Sequence, residues 1–315
     1  MGRLPEKESS KGQDIIQRYL AGERLVLADE LKFPNEASFT RAMRQVYGVK
    51  VGMNNSGWEP AEINISLTLN TTNEMRTAVV INDTHHPYHD ALSIALMERF
   101  LQDREIHYIF YAGDLNDFYQ LSKFNKNPRR ISNLQNDLDS TKRMLDRHNR
   151  LFPNAEKRYE DGNHENRLQA YMWSQAKELS SLKCTQLPKL LGLDDLGIKH
   201  INYEQGLMVN GDFLVLHGDV IRKYSSYTAR GMFEKHGCSG ISGHSHRGGL
   251  SYRRDRSGVY AWYENYCLCH LNPDWIKHPD WQQGFSLVHF KGKRFHVEPV
   301  HIIDHTLMYG GRIYK

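Results

Sequence analysis

Cysteines are few in this sequence, and their spacing does not suggest a disulfide framework or a zinc ribbon. Among the 315 residues, Cys184 and Cys238 stand alone, and a single residue separates Cys267 from Cys269. A one-residue gap is too short for the paired ligands of a usual zinc ribbon. We therefore expect reduced structural thiols rather than disulfides or metal ligands.

Long apolar runs are also missing. No stretch approaches the roughly 18 consecutive apolar residues of a membrane-spanning helix. The opening residues, Met-Gly-Arg-Leu-Pro-Glu-Lys-Glu, lack the apolar centre of a secretory signal. We therefore expect a cytoplasmic protein without a membrane span, and the length suffices for one large domain with a small appendage.

Positive charge exceeds negative charge only slightly, which permits an anionic partner without requiring one. The formal net charge is +4 at pH 7. Between Lys123 and Arg158, ten Lys and Arg residues stand against four Asp and Glu residues. Such a stretch is typical either of a solvated helix face or of a surface that binds phosphate groups.

Residues 1–50 have the apolar periodicity of short helices. Apolar residues recur at spacings of three or four between Gln13 and Tyr47, which predicts three helices, and Pro34-Asn35 separates the second from the third. Residues 25–31 and 36–47 fit a helix-turn-helix whose second helix would present Thr40, Arg41, Arg44 and Gln45. A packing or dimerising appendage is the alternative interpretation.

The remaining chain is predicted to be an α/β domain. Residues 51–76 are expected to be a linker and one leading strand, residues 77–305 the main domain, and residues 306–315 a C-terminal tail. From Thr77 onward, apolar strands alternate with helices, which is the pattern of an α/β fold. A closing hairpin is predicted around the turn Lys291-Gly292-Lys293.

Five clusters of metal-binding residue types occur in the main domain, most of them directly after an apolar strand. They are Asp83-Thr84-His85, Gly113-Asp114-Leu115-Asn116-Asp117, Gly162-Asn163-His164-Glu165, His217-Gly218 and Gly243-His244-Ser245-His246. Because ligands gather at the carboxyl ends of strands in open α/β sheets, these loops can converge on one place. Carboxylate oxygens and imidazole nitrogens without thiolates suit manganese, iron or zinc.

Each cluster alone also has an ordinary structural explanation. Asp-Thr-His after a strand is commonly a helix N-cap with a chance histidine, and Gly-Asp is a common turn. Gly-Asn-His-Glu and Gly-His-Ser-His are rarer combinations. The order of all five clusters favours one binuclear metal site over five coincidences.

The ordered set resembles the calcineurin-like metallophosphoesterase superfamily over about residues 77–300. The motifs of this domain are similar to those of bacterial and bacteriophage members of the superfamily. The resemblance implies an α/β fold of two packed β-sheets flanked by helices, here with a small N-terminal all-helical segment. It also implies that one metal ion is held by Asp83, His85 and His246 and a second by Asn163, His217 and His244, with Asp114 as the bridge.

A binuclear site of this kind implies phosphate-ester hydrolysis. Two ions about 3.5–4 Å apart lower the pKa of a shared water toward ~7, and the resulting hydroxide attacks phosphorus. His164 is expected to protonate the leaving group or to stabilise its charge, and Asp117, as the resemblance also implies, to orient His164. Simple packing of His164 is the alternative. Arg247 is expected to meet a phosphate oxygen.

Several other conspicuous residues are not predicted to be metal ligands or catalytic residues. His86 and His89 are expected to lie at the surface or behind the ligands. Arg222 and Lys223, together with Asp219, either touch the substrate or are solvated loop charges. The aromatic-rich stretch from Trp262 to Trp281 is expected to be core and hairpin packing.

The substrate is less well determined than the reaction. The Gly-Asp-Leu-Asn-Asp loop lacks the Asp-Arg-Gly continuation of the Ser/Thr protein phosphatase branch, which disfavours a protein phosphatase. The N-terminal helices and the basic stretch 123–158 favour a phosphodiester of nucleic acid as the substrate. We expect two transition-metal ions as cofactors, with manganese preferred over iron or zinc. The alternatives are a small nucleotide or other soluble phosphoester, and a DNA-binding regulator with an inactive metal domain, against which the complete ligand set argues.

The Arg41→Ala, Arg44→Ala double variant tests the N-terminal partner. Both residues share a face of the predicted third helix. If they bind phosphates, the plot of log affinity for DNA against log salt becomes shallower by about 0.9 for each phosphate that the variant no longer neutralises, while aryl-ester hydrolysis is unchanged. DNA affinity equal to that of the wild type at every salt concentration would favour the packing interpretation.

Overall fold

The computed structural model forms two compact units, Met1–Ile65 and Ser66–Lys315. The boundary lies inside the segment 51–76 that was predicted to be a linker and a strand. The structure describes residues 4–5, 9–20, 24–34, 39, 42–43, 47, 51–54, 57–60, 67–127, 129–130, 133–256, 258–273 and 276–315. No helix within these ranges is both long and apolar enough to cross a bilayer.

Within the described residues of the first unit, two helices and one pair of strands have defined bounds. Helix α1 spans Ser10–Leu20 and α2 spans Arg24–Glu30, and strands β1 (Val51–Asn54) and β2 (Gly57–Pro60) pair antiparallel. Apolar side chains of the described residues form a buried cluster: Ile15, Ile16, Tyr19, Leu27, Ala28, Phe39, Met43 and Tyr47. Thr40, Arg41, Arg44 and Gln45 lie outside the described residues, so the helix-turn-helix stays a prediction.

The second unit contains the remaining elements, numbered here over the described residues. The helices are α3 (Ala91–Gln102), α4 (Leu134–Leu151), α5 (Asn166–Gln175), α6 (Leu187–Leu191) and α7 (Tyr227–His236). The strands are β3 (Leu67–Leu69), β4 (Arg76–Ile81), β5 (Tyr108–Ala112), β6 (Glu156–Glu160), β7 (Lys199–Ile201), β8 (Leu207–Val209), β9 (Phe213–Leu216), β10 (Ser239–Ser242), β11 (Gly248–Arg254), β12 (Val259–Asn265), β13 (Gln283–Lys291), β14 (Arg294–Ile303), β15 (Thr306–Tyr309) and β16 (Arg312–Tyr314).

The strands of the second unit form two sheets. One has the order β16-β15-β14-β13-β4-β5-β6-β7, and the other has the order β11-β12-β10-β9-β8-β3. Strands β4, β5, β6 and β7 run parallel in the first sheet, as do β9, β10 and β12 in the second. Parallel strands in both sheets end in the loops that carry the polar clusters.

Alternation along the strands explains why the two sheets pack face to face with helices outside. On β4, Ala78 and Val80 face the cluster between the sheets, whereas Val79 and Ile81 face the cluster shared with α3 and α4. Phe213 of β9 meets Phe290 of β13 across the sheets at 5.6 Å between ring centroids. The predicted fold of two packed sheets flanked by helices is confirmed.

The C-terminal residues differ from the tail expected at 306–315. Strands β15 and β16 pair antiparallel, and β15 adds to β14 at the edge of the larger sheet. Leu307 is buried against the core. Gly310 and Gly311 take φ values of 55° and 73° in the turn, a conformation that glycine adopts without strain. The alternation of Leu307 with exposed neighbours was too short a signal to predict this hairpin.

Candidate metal centre

The five polar clusters meet where the carboxyl ends of β4, β5 and β6 in one sheet approach those of β9 and β10 in the other. The loop after β4 carries Asp83 and His85, and the loop after β5 carries Asp114 and Asp117. The loops after β6, β9 and β10 carry the remaining candidates, Asn163, His164, His217, His244 and His246. The structure therefore brings the predicted site residues together, apart from Arg247.

Asp83, His85 and His246 form one group that is able to hold a metal ion. The Oδ1 atom of Asp83 lies 3.1 Å from Nε2 of His246 and 3.6 Å from Nε2 of His85. The two Nε2 atoms lie 3.0 Å apart. Oδ1 of Asp83 is buried and makes no well-formed hydrogen bond among the described residues. Two imidazole nitrogens and one carboxylate oxygen that point at the same spot fit a cation between them.

Asp114, His217 and His244 form a second such group. Nε2 of His217 lies 3.2 Å from Oδ2 of Asp114, 3.0 Å from Oδ1 of Asn163 and 3.2 Å from Nδ1 of His244. Oδ2 of Asp114 also lies 3.8 Å from Nε2 of His85 in the first group. Asp114 thus stands between the two groups, where a bridging carboxylate would stand.

Electrostatics make both groups attractive to cations. Burial opposes the charge of Asp83 and Asp114, but the surrounding imidazoles hold the pKa of each carboxyl well below its usual range. Burial also disfavours charge on His217, yet the Asp114 carboxylate raises its pKa to about 10. Burial lowers the pKa of His244 to about 4, and the charge of His217 adds to that effect. Ionised carboxylates therefore draw positive charge to the site, as protons or as divalent cations.

The local backbone is strained where it presents the ligand candidates. Five of them have φ values between 50° and 68°, in the left-handed region that side chains rarely adopt: Asp83, His85, Asp114, His244 and His246. Residues held in sparsely populated backbone conformations cluster at functional sites. Two glycines permit the close approach of the loops, because a Cβ at Gly162 would lie 2.1 Å from Oδ1 of Asp114 and one at Gly243 would lie 2.4 Å from Oδ2 of Asp83.

Glu165 holds two of the loops in place, a role that the sequence did not reveal. Its carboxylate accepts hydrogen bonds from the backbone N–H groups of Asp114 and Asn116, both at 2.8 Å, and of Gly162 at 2.9 Å. The Tyr159 hydroxyl donates to it at 2.9 Å. Burial and the charge of Asp114 raise the pKa of Glu165, but every one of these four groups donates, which favours the carboxylate form. The only sequence signal was its place at the end of Gly-Asn-His-Glu.

His164 and Asp117 are paired beside the second group. Nδ1 of His164 lies 3.1 Å from Oδ1 of Asp117, and its Nε2 lies 3.7 Å from Oδ2 of Asp114. Asp117 also contacts His85, at 3.2 Å from Nδ1. Burial raises the pKa of Asp117, but both histidines outweigh that effect and lower it. Arg167, which the sequence did not single out, donates to Nε2 of His164 at 2.9 Å.

Arg247 contacts the protein rather than the ligand groups. Its guanidinium donates to the carbonyl of Asp280 at 3.1 Å and to that of Arg222 at 2.8 Å. It therefore links two chain segments at the edge of the site, and its contact with a phosphate stays a prediction. His86 and His89 are stacked at 3.9 Å between ring centroids, and Nδ1 of His86 pairs with Ser140, so His86 supports the first loop from behind.

A cavity of about 470 Å³ opens over both groups. Trp281 lines it, with its ring centroid 4.2 Å from that of His246. Trp262 is buried as expected. The expectation of core packing is wrong for Trp281, which lines the cavity. The backbone N–H of the next residue, Gln282, donates to the His246 carbonyl at 2.9 Å and keeps Trp281 beside the site. Cys269 also lines the cavity, with Sγ 3.9 Å from Nδ1 of His246.

Comparisons with known proteins give distant similarities. No family model matches the chain. Gene 54 protein of Mycobacterium phage L5 is 23% identical over 251 residues, which cover 75% of this chain and 98% of that protein.

Two solved structures illustrate the level of structural similarity. Vps29 of Entamoeba histolytica, complexed with Zn²⁺, is 11% identical with a TM-score of 0.39 and covers 74% of this chain and 96% of its own. Vacuolar Protein Sorting 29 of Cryptosporidium parvum is 11% identical with a TM-score of 0.41 and covers 76% of this chain and 94% of its own. Similarity at this level leaves the activity to be inferred from the residues of the chain itself.

Glu165→Gln tests the anchoring of the loops. The amide NH₂ would face N–H donors, and removal of the charge-assisted hydrogen bonds lowers the free energy of unfolding by at least about 2 kcal/mol. Urea denaturation measures this difference. Glu105→Gln is the matched control, because the Glu105 side chain is 87% exposed. Equal stability of the two variants would contradict the anchoring role.

Proposed function

We propose that this chain is a two-metal phosphoesterase that hydrolyses a phosphodiester of nucleic acid. The observation that most supports this proposal is the pair of buried groups of candidate ligands. One group contains Asp83 and the other contains His217, and Asp114 lies between them. The donor set of carboxylates, imidazoles and one amide oxygen suits Mn²⁺, with iron or zinc as alternatives. The ordered motifs of the calcineurin-like metallophosphoesterases, which this chain resembles, support the same assignment.

Asp83, His85 and His246 would hold one ion, and Asn163, His217 and His244 the other, with Asp114 shared. Two divalent ions at such a site supply Lewis acidity toward the phosphoryl oxygens and a low pKa for water. Two carboxylates and a neutral Asn163 leave the loaded site with a net positive charge. That charge favours the binding of an anionic ester over a neutral one.

His164 would assist the departure of the leaving group. Asp117 holds Nδ1, which turns Nε2 toward the cavity that both residues line. In that orientation a proton on Nε2 would be donated to the departing oxygen. In the structure the Arg167 guanidinium donates to Nε2, which requires the unprotonated nitrogen. Arg167 would therefore release Nε2 before the proton is transferred, and its positive charge would then stabilise the departing oxygen.

The size and lining of the cavity support an ester with bulky organic groups. Besides ligand candidates, apolar side chains line it: Ile221, Pro273, Ile276 and Trp281. A phosphodiester places an organic group on each side of phosphorus, which uses both polar and apolar walls. Hydrolysis of a small nucleotide is the second candidate, because about 470 Å³ would also enclose such a molecule.

The variants Asp114→Asn and His164→Ala distinguish a metal ligand from a general acid. Asp114→Asn weakens metal retention and turnover together, whereas His164→Ala retains two ions per chain and lowers kcat on an alkyl diester by about 10²–10⁴. Elemental analysis after manganese reconstitution and steady-state rates measure the two effects. His296→Ala, an exposed histidine on β14, is the control and leaves both unchanged.

Three results would overturn parts of the assignment. If His164→Ala lost its ions, the residue would be a ligand and not an acid. If hydrolysis of aryl phosphodiesters and monoesters survived complete chelation, the metal-dependent mechanism would be wrong. Faster turnover of the aryl phosphomonoester than of the diester, each with added manganese, would contradict the assignment to diesters.

A further inference from the structure

The segment Ile221–Tyr227, called here the tyrosine segment, leads from the cavity to the protein surface. It follows the ligand candidate His217 and ends at the first residue of α7. Ile221 lines the cavity. Tyr224 and Tyr227 are 52% and 59% exposed, and their rings lie 5.4 Å apart in an edge-to-face arrangement. Two large aromatic rings therefore lie in solvent a few residues from the proposed site of hydrolysis.

Positive charge accompanies these rings. Nζ of Lys223 lies 5.1 Å from the centroid of the Tyr224 ring, and Arg222 is exposed between Lys223 and the cavity residue Ile221. Asp219, the nearest acidic residue before the segment, is paired with Lys235 of α7. Its charge is thus offset, and the segment itself presents cations together with aromatic rings.

The tyrosine segment is fixed in position by several hydrogen bonds. The N–H of Arg222 donates to Oγ1 of Thr228 at 3.1 Å, and the N–H of Leu250 on β11 donates to Oγ of Ser226 at 3.1 Å. The Arg247 guanidinium joins the Arg222 carbonyl to the Asp280 carbonyl, next to the cavity residue Trp281. The backbone that carries the two tyrosines is thus attached to β11 and to the segment beside the cavity residue Trp281.

Exposed aromatic rings with neighbouring cations are the features that bind unpaired nucleotides. Bases stack on aromatic side chains, and cations accompany the phosphates. The bases of a duplex are already stacked on one another and cannot use such rings without melting. A cavity that accepts one phosphodiester, followed by two stacking rings, matches a strand that continues beyond the cleaved bond.

We propose that the tyrosine segment binds single-stranded nucleic acid that extends from the cavity, with bases on Tyr224 and Tyr227 and phosphates near Arg222 and Lys223. This inference rests on the proposed function, since it names the substrate of the same site. It also gives Arg247 the role of a positioning residue for the segment, in place of the direct phosphate contact expected from the sequence.

The test uses the full chain and the Tyr224→Ala, Tyr227→Ala double variant. The probes are a fluorescent oligothymidylate, a hairpin duplex and methyl p-nitrophenyl phosphate. The oligothymidylate affinity is measured by anisotropy in chelating buffer, which prevents cleavage. We expect the affinity of the double variant to fall about 100-fold, because each tyrosine that stacks on a base contributes about 10-fold. With manganese, kcat/KM for the oligothymidylate relative to that for methyl p-nitrophenyl phosphate falls by a similar factor.

Matched variants make the test specific. Tyr224→Phe, Tyr227→Phe keeps the rings and retains the affinity, because stacking needs the ring and not the hydroxyl. Tyr171→Ala removes a tyrosine of comparable exposure, 44%, on α5, and leaves the affinity unchanged. Circular dichroism confirms that all variants are folded.

The outcomes distinguish this inference from the proposed function. If the double variant binds oligothymidylate as tightly as Tyr171→Ala does, or if it loses hairpin binding to the same extent as single-strand binding, the tyrosine segment is not a single-strand site. If the wild type binds the oligothymidylate through these tyrosines but hydrolyses neither it nor the small diester, the inference about the segment stands and the proposed function fails.

Discussion

Asp83 and Asp114 are buried among imidazoles at the strand ends of two packed sheets. Asp83 and Asp114 have almost no exposure to solvent, and burying an ionised carboxyl is costly unless positive charge compensates it. The nitrogens that converge on them, from His85, His217 and His246, can compensate by carrying protons or by sharing metal ions. Divalent ions would satisfy all of these lone pairs at once, whereas protons on both of two imidazole nitrogens 3.0 Å apart would repel each other.

The architecture is organised to supply this arrangement. Parallel strands of two packed sheets end at the same place, so five loops from distant parts of the chain reach one volume. The loops approach so closely that side chains at Gly162 and Gly243 would collide with the carboxylates. Glu165 ties the loop after β5 to the loop after β6 through backbone N–H groups. Strain in the ligand loops is tolerated because the surrounding hydrogen bonds and core determine the backbone.

Short-range sequence patterns predicted much of the fold and of the candidate metal site. Apolar stretches predicted the strands, and the order of the polar clusters predicted the site. Long-range contacts could not be predicted. Arg247 follows a ligand candidate and was expected at the substrate, but its partners, the carbonyls of Arg222 and Asp280, are distant in sequence. Trp281 belongs to the same aromatic-rich stretch as the buried Trp262, but it lines the cavity, where the backbone N–H of its neighbour Gln282 donates to the His246 carbonyl. The terminal hairpin depends on Leu307 reaching a core formed by earlier strands.

Anomalous diffraction at the manganese absorption edge, from crystals grown with Mn²⁺, would show whether the site binds two ions. We expect two peaks about 3.5–4 Å apart. One peak lies among Asp83, His85 and His246, the other among Asn163, His217 and His244, and the Asp114 carboxylate lies between them. His246, Cys267 and Cys269 also lie close enough together to hold an ion. A single peak, the absence of peaks at saturating Mn²⁺, or a peak confined to these three residues would contradict the two-ion site.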